Sequence, residues 1–499
     1  MVANGCGGPK KNTREIINPG AKTTLDNRSP FLKIHLRNGR AYILSEWTVT
    51  DKKILTGKGQ LFDINRIPVA TGTFTISSDS VVIFETNILE PSQAVGGLTI
   101  LTGVSVVVTT LCIANPKACF GSCPTFYITD GKEPILQAEG FSASIAPALE
   151  ATDIDALYRA TSTESDVHVT VKNEALETHV IRFAKLLAVP RTENTRVFVT
   201  PANEFYSCGM FISPSSAMSS EGDCLESIRY FDGVERFSLA DSSNLASKEI
   251  IELKFDDVPD GDLGLVIASR QTLLTTFLFY QTLAYMGSSA GDWLALLERQ
   301  PLSIIDNAKS VGKVLGDIEF YVMNESSEWT LAASFSETGP LATDVRMLPM
   351  PASFHSSRKI QIRLNKGLWR LDHIALVPIQ KKVNPIQLDP YLVIRDEEEN
   401  AEAKDALIDS ARTLITYPGD SYRLSYRLPD RADKYELFMK SRGYYLEWIR
   451  EEWIKEEDPN KAAMMFFDPK GSLKELAPVF KKMEAQMEKQ FWNSKYVRP

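Results

Sequence analysis

The sequence has no excess of positive charge: 55 Lys and Arg stand against 64 Asp and Glu, a net charge of -9, with a pI near 5.4. Phosphate backbones need a basic face, and no Lys/Arg stripe with interleaved aromatics is found, which argues against nucleic acid as a partner. The six cysteines include no C-x-x-C pair, so the spacing of a zinc module is missing. Walker loops, dinucleotide fingerprints and H-E-x-x-H are missing too, and no cofactor is expected. No tandem repeat or low-complexity tract occurs. What remains is 499 residues, 43% hydrophobic and 24% charged, an ordinary globular composition. That length predicts two to four domains.

The chain turns on the stretch from Pro91 to Tyr127. It opens with an uncharged run, Pro91 to Pro116, and ends in Cys119-Phe120-Gly121-Ser122-Cys123-Pro124-Thr125-Phe126-Tyr127. The run is long enough to span a bilayer, but its threonines and glycines make it a poor hydrocarbon solute. A buried helix is the favoured reading, a spanning helix the alternative. A second run, Thr272 to Met286, is apolar nearly all round, as buried helices are. The two are expected to pack as the central pair of one domain.

Taken in order, residues 1–29 are polar and read as a tether. From Phe31 the period becomes two, with strands expected near 31–37, 41–45, 54–62, 71–76 and 80–84 and a turn at Asn38-Gly39; together they suggest a small antiparallel barrel over 30–90. A central α+β domain is expected over 91–300. Within it a hairpin is predicted at Asp130-Gly131, and another pairing Val167–Lys172 with Ala175–Arg182 about Asn173-Glu174. That register sets His168 opposite His179 and Thr170 opposite Glu177. Strands at 318–322, 329–333, 360–364 and 369–376 suggest a β-sandwich over 301–390. Residues 391–499 are expected to be mostly helical after the charged Glu397-Glu398-Glu399, with helices at Tyr435–Lys455 and Leu473–Phe491. The expected class is α+β and multidomain.

Three stretches carry resemblances. Cys6 follows a small residue and precedes a polar Gly/Lys/Asn segment, which resembles the processed start of a bacterial lipoprotein, although no apolar h-region precedes it. Cys6 is then a lipidation site; otherwise it is an ordinary residue of a frayed tail. The Cys119–Tyr127 motif with Asp130-Gly131 resembles a secreted bacterial family carrying Cys-Phe-Gly-Ser/Thr-Cys-Pro, for which no activity is established. Residues 315–379 are similar to galactose-binding-like jelly rolls, and the whole chain resembles a large lipoprotein of the Bacteroidetes type. The lipoprotein resemblance implies the cell envelope, anchored by lipid in the outer membrane or periplasm, where Cys119–Cys123 and Cys208–Cys224 can be disulfides and Cys112 a buried thiol. A cytoplasmic chain is the alternative.

Two constellations bear on catalysis. Gly287-Ser288-Ser289-Ala290-Gly291 fits G-x-S-x-G, yet about fifteen apolar residues precede it, which suits a helix capped by Gly287 better than the strand a nucleophile elbow needs. His168 and His179 with Glu177 could hold zinc or iron, although exposed hairpin histidines are commoner than sites. The expected function is a non-catalytic envelope protein that binds a glycan or a protein partner. The alternative is a hydrolase using Ser289 or a metal at His168 and His179.

Overall fold

The computed structural model describes residues 10–17, 25, 32–36, 40–51, 53–62, 68–91, 123–130, 133–142, 144, 150–160, 163–175, 177–287, 314–324, 326–335, 339–416, 419–447 and 456–493. The chain is mostly β, with helices added, in agreement with an α+β class.

The first 91 residues supply a six-stranded antiparallel sheet. Leu32–Leu36, Ala41–Asp51, Ile54–Phe62, Pro68–Ser77 and Val81–Pro91 match the expected strands. Its pattern is the simplest in the molecule: Leu32, Ile34, Leu44, Trp47, Leu55, Ile76, Val81 and Phe84 form one apolar cluster. Two expectations change here. Lys10–Ile17, read as tether, is a strand paired with Val81–Pro91 from Lys10↔Pro91 to Ile17↔Phe84. The expected barrel is an open sheet, since its two edge strands, Lys10–Ile17 and Pro68–Ser77, do not pair among the described residues.

The remaining described strands form four sheets, each sharing an apolar cluster with the next. The first carries Thr125–Asp130, Glu133–Glu139, Asp166–Lys172 and Ser421–Arg427, with Leu392–Arg395 and Glu398–Glu399 at one edge. The second is built on Glu177–Pro190 and Tyr435–Glu447, flanked by Ala151–Ala156 and Ile386–Leu388. The third is a ring: Phe205–Cys208, Arg196–Val199, Asp344–Pro349, Leu263–Gln271 and Trp369–Val383 pair in turn, and Phe205–Cys208 returns to Trp369–Val383. This is the closed five-stranded barrel of the molecule. The fourth joins Ser216–Ser219, Lys248–Lys254, Lys359–Asn365, Ile318–Met323 and Trp329–Phe335.

Leu263–Gln271 shows how one strand serves two layers. Leu263, Leu265 and Ile267 enter the cluster shared with the fourth sheet, whereas Val266 and Ala268 enter the cluster shared with the second. Because side chains alternate, a strand with both faces covered must be apolar throughout. The strands expected within 301–390 all form; Ile318–Met323 pairs with Trp329–Phe335 and Lys359–Asn365, but Lys359–Asn365 also pairs with Lys248–Lys254, and Trp369–Val383 with Leu263–Gln271, from before residue 300. The sandwich-like face between barrel and fourth sheet is thus assembled from both halves of the chain.

Three of the four longer helices described cover the cluster shared by the barrel and the fourth sheet, and the fourth, Ala401–Ile408, covers the one between the first and second sheets. Helix α1, Leu274–Met286, buries Leu274, Phe277, Leu278, Tyr280, Leu283 and Ala284, as the second apolar run predicts. Thr272 Oγ1 accepts from the Leu274 amide and donates to the Gly367 carbonyl, which starts the helix. Gly287 ends it at φ +52°, a conformation that favours glycine, with its N–H donated to the carbonyls of Leu283 and Ala284. Helix α2 is Ala401–Ile408, capped by Asn400. Helices α3, Pro459–Phe467, and α4, Pro469–Asn493, end the described chain; α4 matches the expected Leu473–Phe491 helix, but 391–499 is not mostly helical, because Leu392–Arg395, Leu414–Thr416, Ser421–Arg427 and Tyr435–Glu447 are strands. On α4, Leu473, Leu476, Ala477, Phe480, Met483 and Met487 make one buried stripe at helical spacing. Its far end is clamped by charge: Glu488 accepts from Arg270 at 3.1 Å and from Arg370 at 2.8 Å.

Three further expectations are corrected. Tyr435–Lys455 was expected to be helical, but Tyr435–Glu447 is a strand paired along its length with Glu177–Pro190. Leu437 and Met439 face one cluster and Phe438 the other, so burial on both sides erases the alternation that marks a strand. The Val167–Arg182 hairpin does not form. Asp166–Lys172 pairs with Ser421–Arg427 and Thr125–Asp130 in the first sheet, whereas Glu177–Pro190 lies in the second. At the crossing, Asn173 Nδ2 donates to the carbonyls of Glu177 and Thr416, holding an inter-sheet passage where a tight turn was expected. Finally, Cys208 and Cys224 are free buried thiols in different apolar clusters, Cys208 among the residues shared with the second sheet and Cys224 among those shared with the fourth. Cys123 is also a free buried thiol.

The uncharged run 92–116 falls outside the described residues, as do Cys6, Cys112, Cys119 and Ser289. No helix among the described residues is long and apolar enough to cross a membrane.

Candidate functional site

The cysteine motif delivers its last residues into a buried polar cluster. Cys123 Sγ donates to Glu139 Oε1 at 3.4 Å, and Glu139 Oε2 accepts the backbone N–H groups of Leu341, at 2.5 Å, and Ala342, at 2.8 Å. Burial pushes the Glu139 carboxyl up to about 7, against the pull of those two amides. Burial, reinforced by the neighbouring Glu139 and Glu177 charges, holds the Cys123 thiol well above its ordinary value. A thiol in that setting is a weaker nucleophile than a free one. One strand position on, Thr125 Oγ1 and Tyr127 OH both donate to Glu174 Oε2, at 2.9 and 2.7 Å. These groups tie the first sheet to the segment that passes into the second. Their bonds are made within the protein.

The proposed metal ligands separate. His168 is exposed, with Nδ1 3.0 Å from Ser425 Oγ. His179 is fully buried in the next sheet, with Nε2 3.1 Å from Glu177 Oε2. Glu177 and His179 meet because they are two residues apart on one strand face. Among the described residues no group of three or more His, Cys, Asp or Glu could hold a metal ion. His373, on the barrel strand Trp369–Val383, is buried with its ring edge-on to Phe211 at 4.8 Å, and burial lowers its pKa.

Two concave places among the described residues bear on function. One, about 510 Å³, is bounded by the Arg191–Arg196 turn, by Met210 and Phe211 and by Asp433 and Lys434. Its cations are already paired. Glu436 takes Arg196 at 2.8 Å and Arg191 at 3.8 Å, and Lys434 is bound to Asp430. Arg191 also donates through Nε and Nη2 to the Asp433 carbonyl. Phe211 rests against Phe198 at 5.7 Å and against His373, yet remains 39% exposed, while Met210 beside it is 67% exposed. The smaller cavity, about 210 Å³, lies where Gln137 of the first sheet, Tyr158 and Arg159 after the second, Phe231, and the Leu341–Thr343 loop converge.

None of these lining residues was singled out from sequence. Met210-Phe211-Ile212 carried a faint signal, an apolar trio just after Gly209 and outside any alternating run. Glu139 and Arg159 carried none, since a lone charge at a strand end ordinarily meets solvent. Comparison with models of known protein families gives no match, and comparison with curated protein sequences gives none.

Proposed function

We propose that this chain is a non-catalytic binding protein of the cell envelope, held at a membrane by a lipid on Cys6, and that it binds a neutral glycan in the Arg191–Phe211–Lys434 cleft. The observation that carries the reading is an exposed aromatic ring in a cleft whose cations are already paired. Ligand pockets typically measure about 300–1,000 Å³ with an apolar wall and a few polar groups, and this cleft, at about 510 Å³, falls in that range. A sugar presents an apolar C–H face to an aromatic ring and hydroxyls to amides and carboxylates; Phe211 supplies the first, Asn194, Glu193 and Asp433 the second. With Arg191, Arg196 and Lys434 paired, little cationic field is left to favour an anion. The hydrolase alternative draws no support from His168 and His179, which lie in different sheets.

The test is titration calorimetry of the purified chain against a panel of neutral envelope glycans, with Phe211→Ala as the paired variant. Expected is measurable binding to a subset, weakened at least about tenfold in the variant with its unfolding midpoint kept. No binding across the panel, or equal binding by the variant, sinks the glycan reading. Retention of an envelope protein by the wild type alone would move the cleft to a protein partner.

A further inference from the structure

We propose that the smaller cavity is a separate site for a carboxylate carried on a short apolar group, with Arg159 as its anchor. Arg159 makes no ion pair among the described residues; its guanidinium lies 5.6 Å from the Phe231 ring centroid. Stacking on an aromatic face restricts the guanidinium while leaving its edge N–H groups available, and that fork matches a carboxylate bidentately. The backbone beneath it is fixed as well, because the Arg159 N–H donates to Gln137 Oε1 at 3.0 Å. The opposite wall is equally set: the amides of Leu341 and Ala342 are taken up by Glu139, so this loop presents its apolar side chains to the space.

Size and charge narrow the ligand. About 210 Å³ is below the range for large organic ligands, so few heavy atoms fit beyond the carboxylate. Ile135, Leu136 and Val345 give one side of the remaining wall an apolar surface, beside the polar Gln137 and Thr343. One guanidinium matches one negative charge. A phosphate dianion would leave charge uncompensated near Asp372, whose buried carboxyl already feels the Arg159 field. The same chemistry is offered by a free short-chain acid and by a peptide C-terminus ending in an aliphatic residue. This site is independent of the glycan cleft and shares no residue with it.

The experiment titrates the full chain with 3-methylbutanoate, with its amide, and with N-acetyl-glycyl-leucine as free acid and as amide. Expected is binding of at least one acid, with its amide at least about tenfold weaker, and loss of that preference in Arg159→Gln. Arg159 is exposed, so the variant should keep its unfolding midpoint; Phe231→Leu provides a second variant that weakens the acid without removing the charge. A stronger peptide acid assigns the site to a chain terminus, and a stronger free acid assigns it to a small carboxylate. Acid and amide binding alike, no binding by either acid, or unchanged preference in Arg159→Gln overturns the proposal.

Discussion

The N-terminal sheet and the barrel are both antiparallel for most of their pairings, yet they are built on opposite terms. The N-terminal sheet gathers its apolar side chains into one cluster and exposes the alternate positions, so Lys58 and Gln60 face water while Leu55 and Leu61 do not. The barrel is covered on two sides. Where a strand has no wet face, any charge it carries must be neutralised inside the protein, and the ionised groups accordingly collect between layers: Arg346 with Asp344 and Asp153, Arg196 with Glu436, Arg236 with Glu249. Double coverage thus concentrates both the apolar burial and the electrostatic risk in the same strands.

The contrast can be broken at several levels of energy. Trp369→Ala empties a site only 1% exposed in the largest cluster and should cost about 3–5 kcal/mol, read as a lower urea midpoint for the stacked sheets. A loss below about 1 kcal/mol would show that the barrel and fourth sheet are not packed as described. The next effect is set by pH. Two carboxyls, Glu139 and Glu456, are pushed up to about 7 by burial. Their folded forms hold protons that the unfolded chain releases near its ordinary 4.5, so their contribution is fully present below that pH, falls as pH rises through 7 and is flat above. For Glu139 the span amounts to about 3 kcal/mol, and Glu139→Gln should flatten part of the stability slope between those limits. An unchanged slope in the Glu139→Gln, Glu456→Gln double variant would refute the assignment.

Smaller effects belong to wet positions. Arg427→Gln removes an exposed bidentate pair with Asp166, at 2.9 and 3.0 Å, and should leave the urea midpoint nearly unchanged, because water and salt screen the pair. Lys58→Gln on the N-terminal sheet should fall within about 0.5 kcal/mol of the wild type. The smallest expected effect is none: omitting reductant should not protect Cys208 or Cys224 from alkylation in denaturant, since both are free thiols. Protection of either by oxidation would restore the disulfide that the sequence suggested.

The legibility of these elements follows the same division. Strands between Phe31 and Phe84 could be read because one wet face leaves a period of two in the sequence. The Asp130-Gly131 hairpin, helix α1 and its Gly287 stop could be read from turn and cap chemistry. Tyr435–Glu447 could not, because Leu437, Phe438 and Met439 are all buried and their run suits a helix as well. Val167, Val169 and Val171 share one buried face, but alternation specifies burial and not the partner, which came from residues 421–427. The polar cluster was beyond reach for another reason. Glu139 is buried by a loop some 200 positions away, and nothing local to Gln137-Ala138-Glu139 announces it.

The closed ring and the long second sheet also dictate an order of events in time. Glu177 pairs with Glu447, and Phe205–Cys208 closes the barrel against residues 379–383. Neither layer can be completed until nearly the whole chain has left the ribosome, whereas the N-terminal sheet needs only residues up to 91. Contacts so distant in sequence are slow to form, because the loop between them must be closed first. A pulse of synthesis followed by proteolysis should therefore show the first sheet protected early and everything between residues 123 and 447 protected together, late.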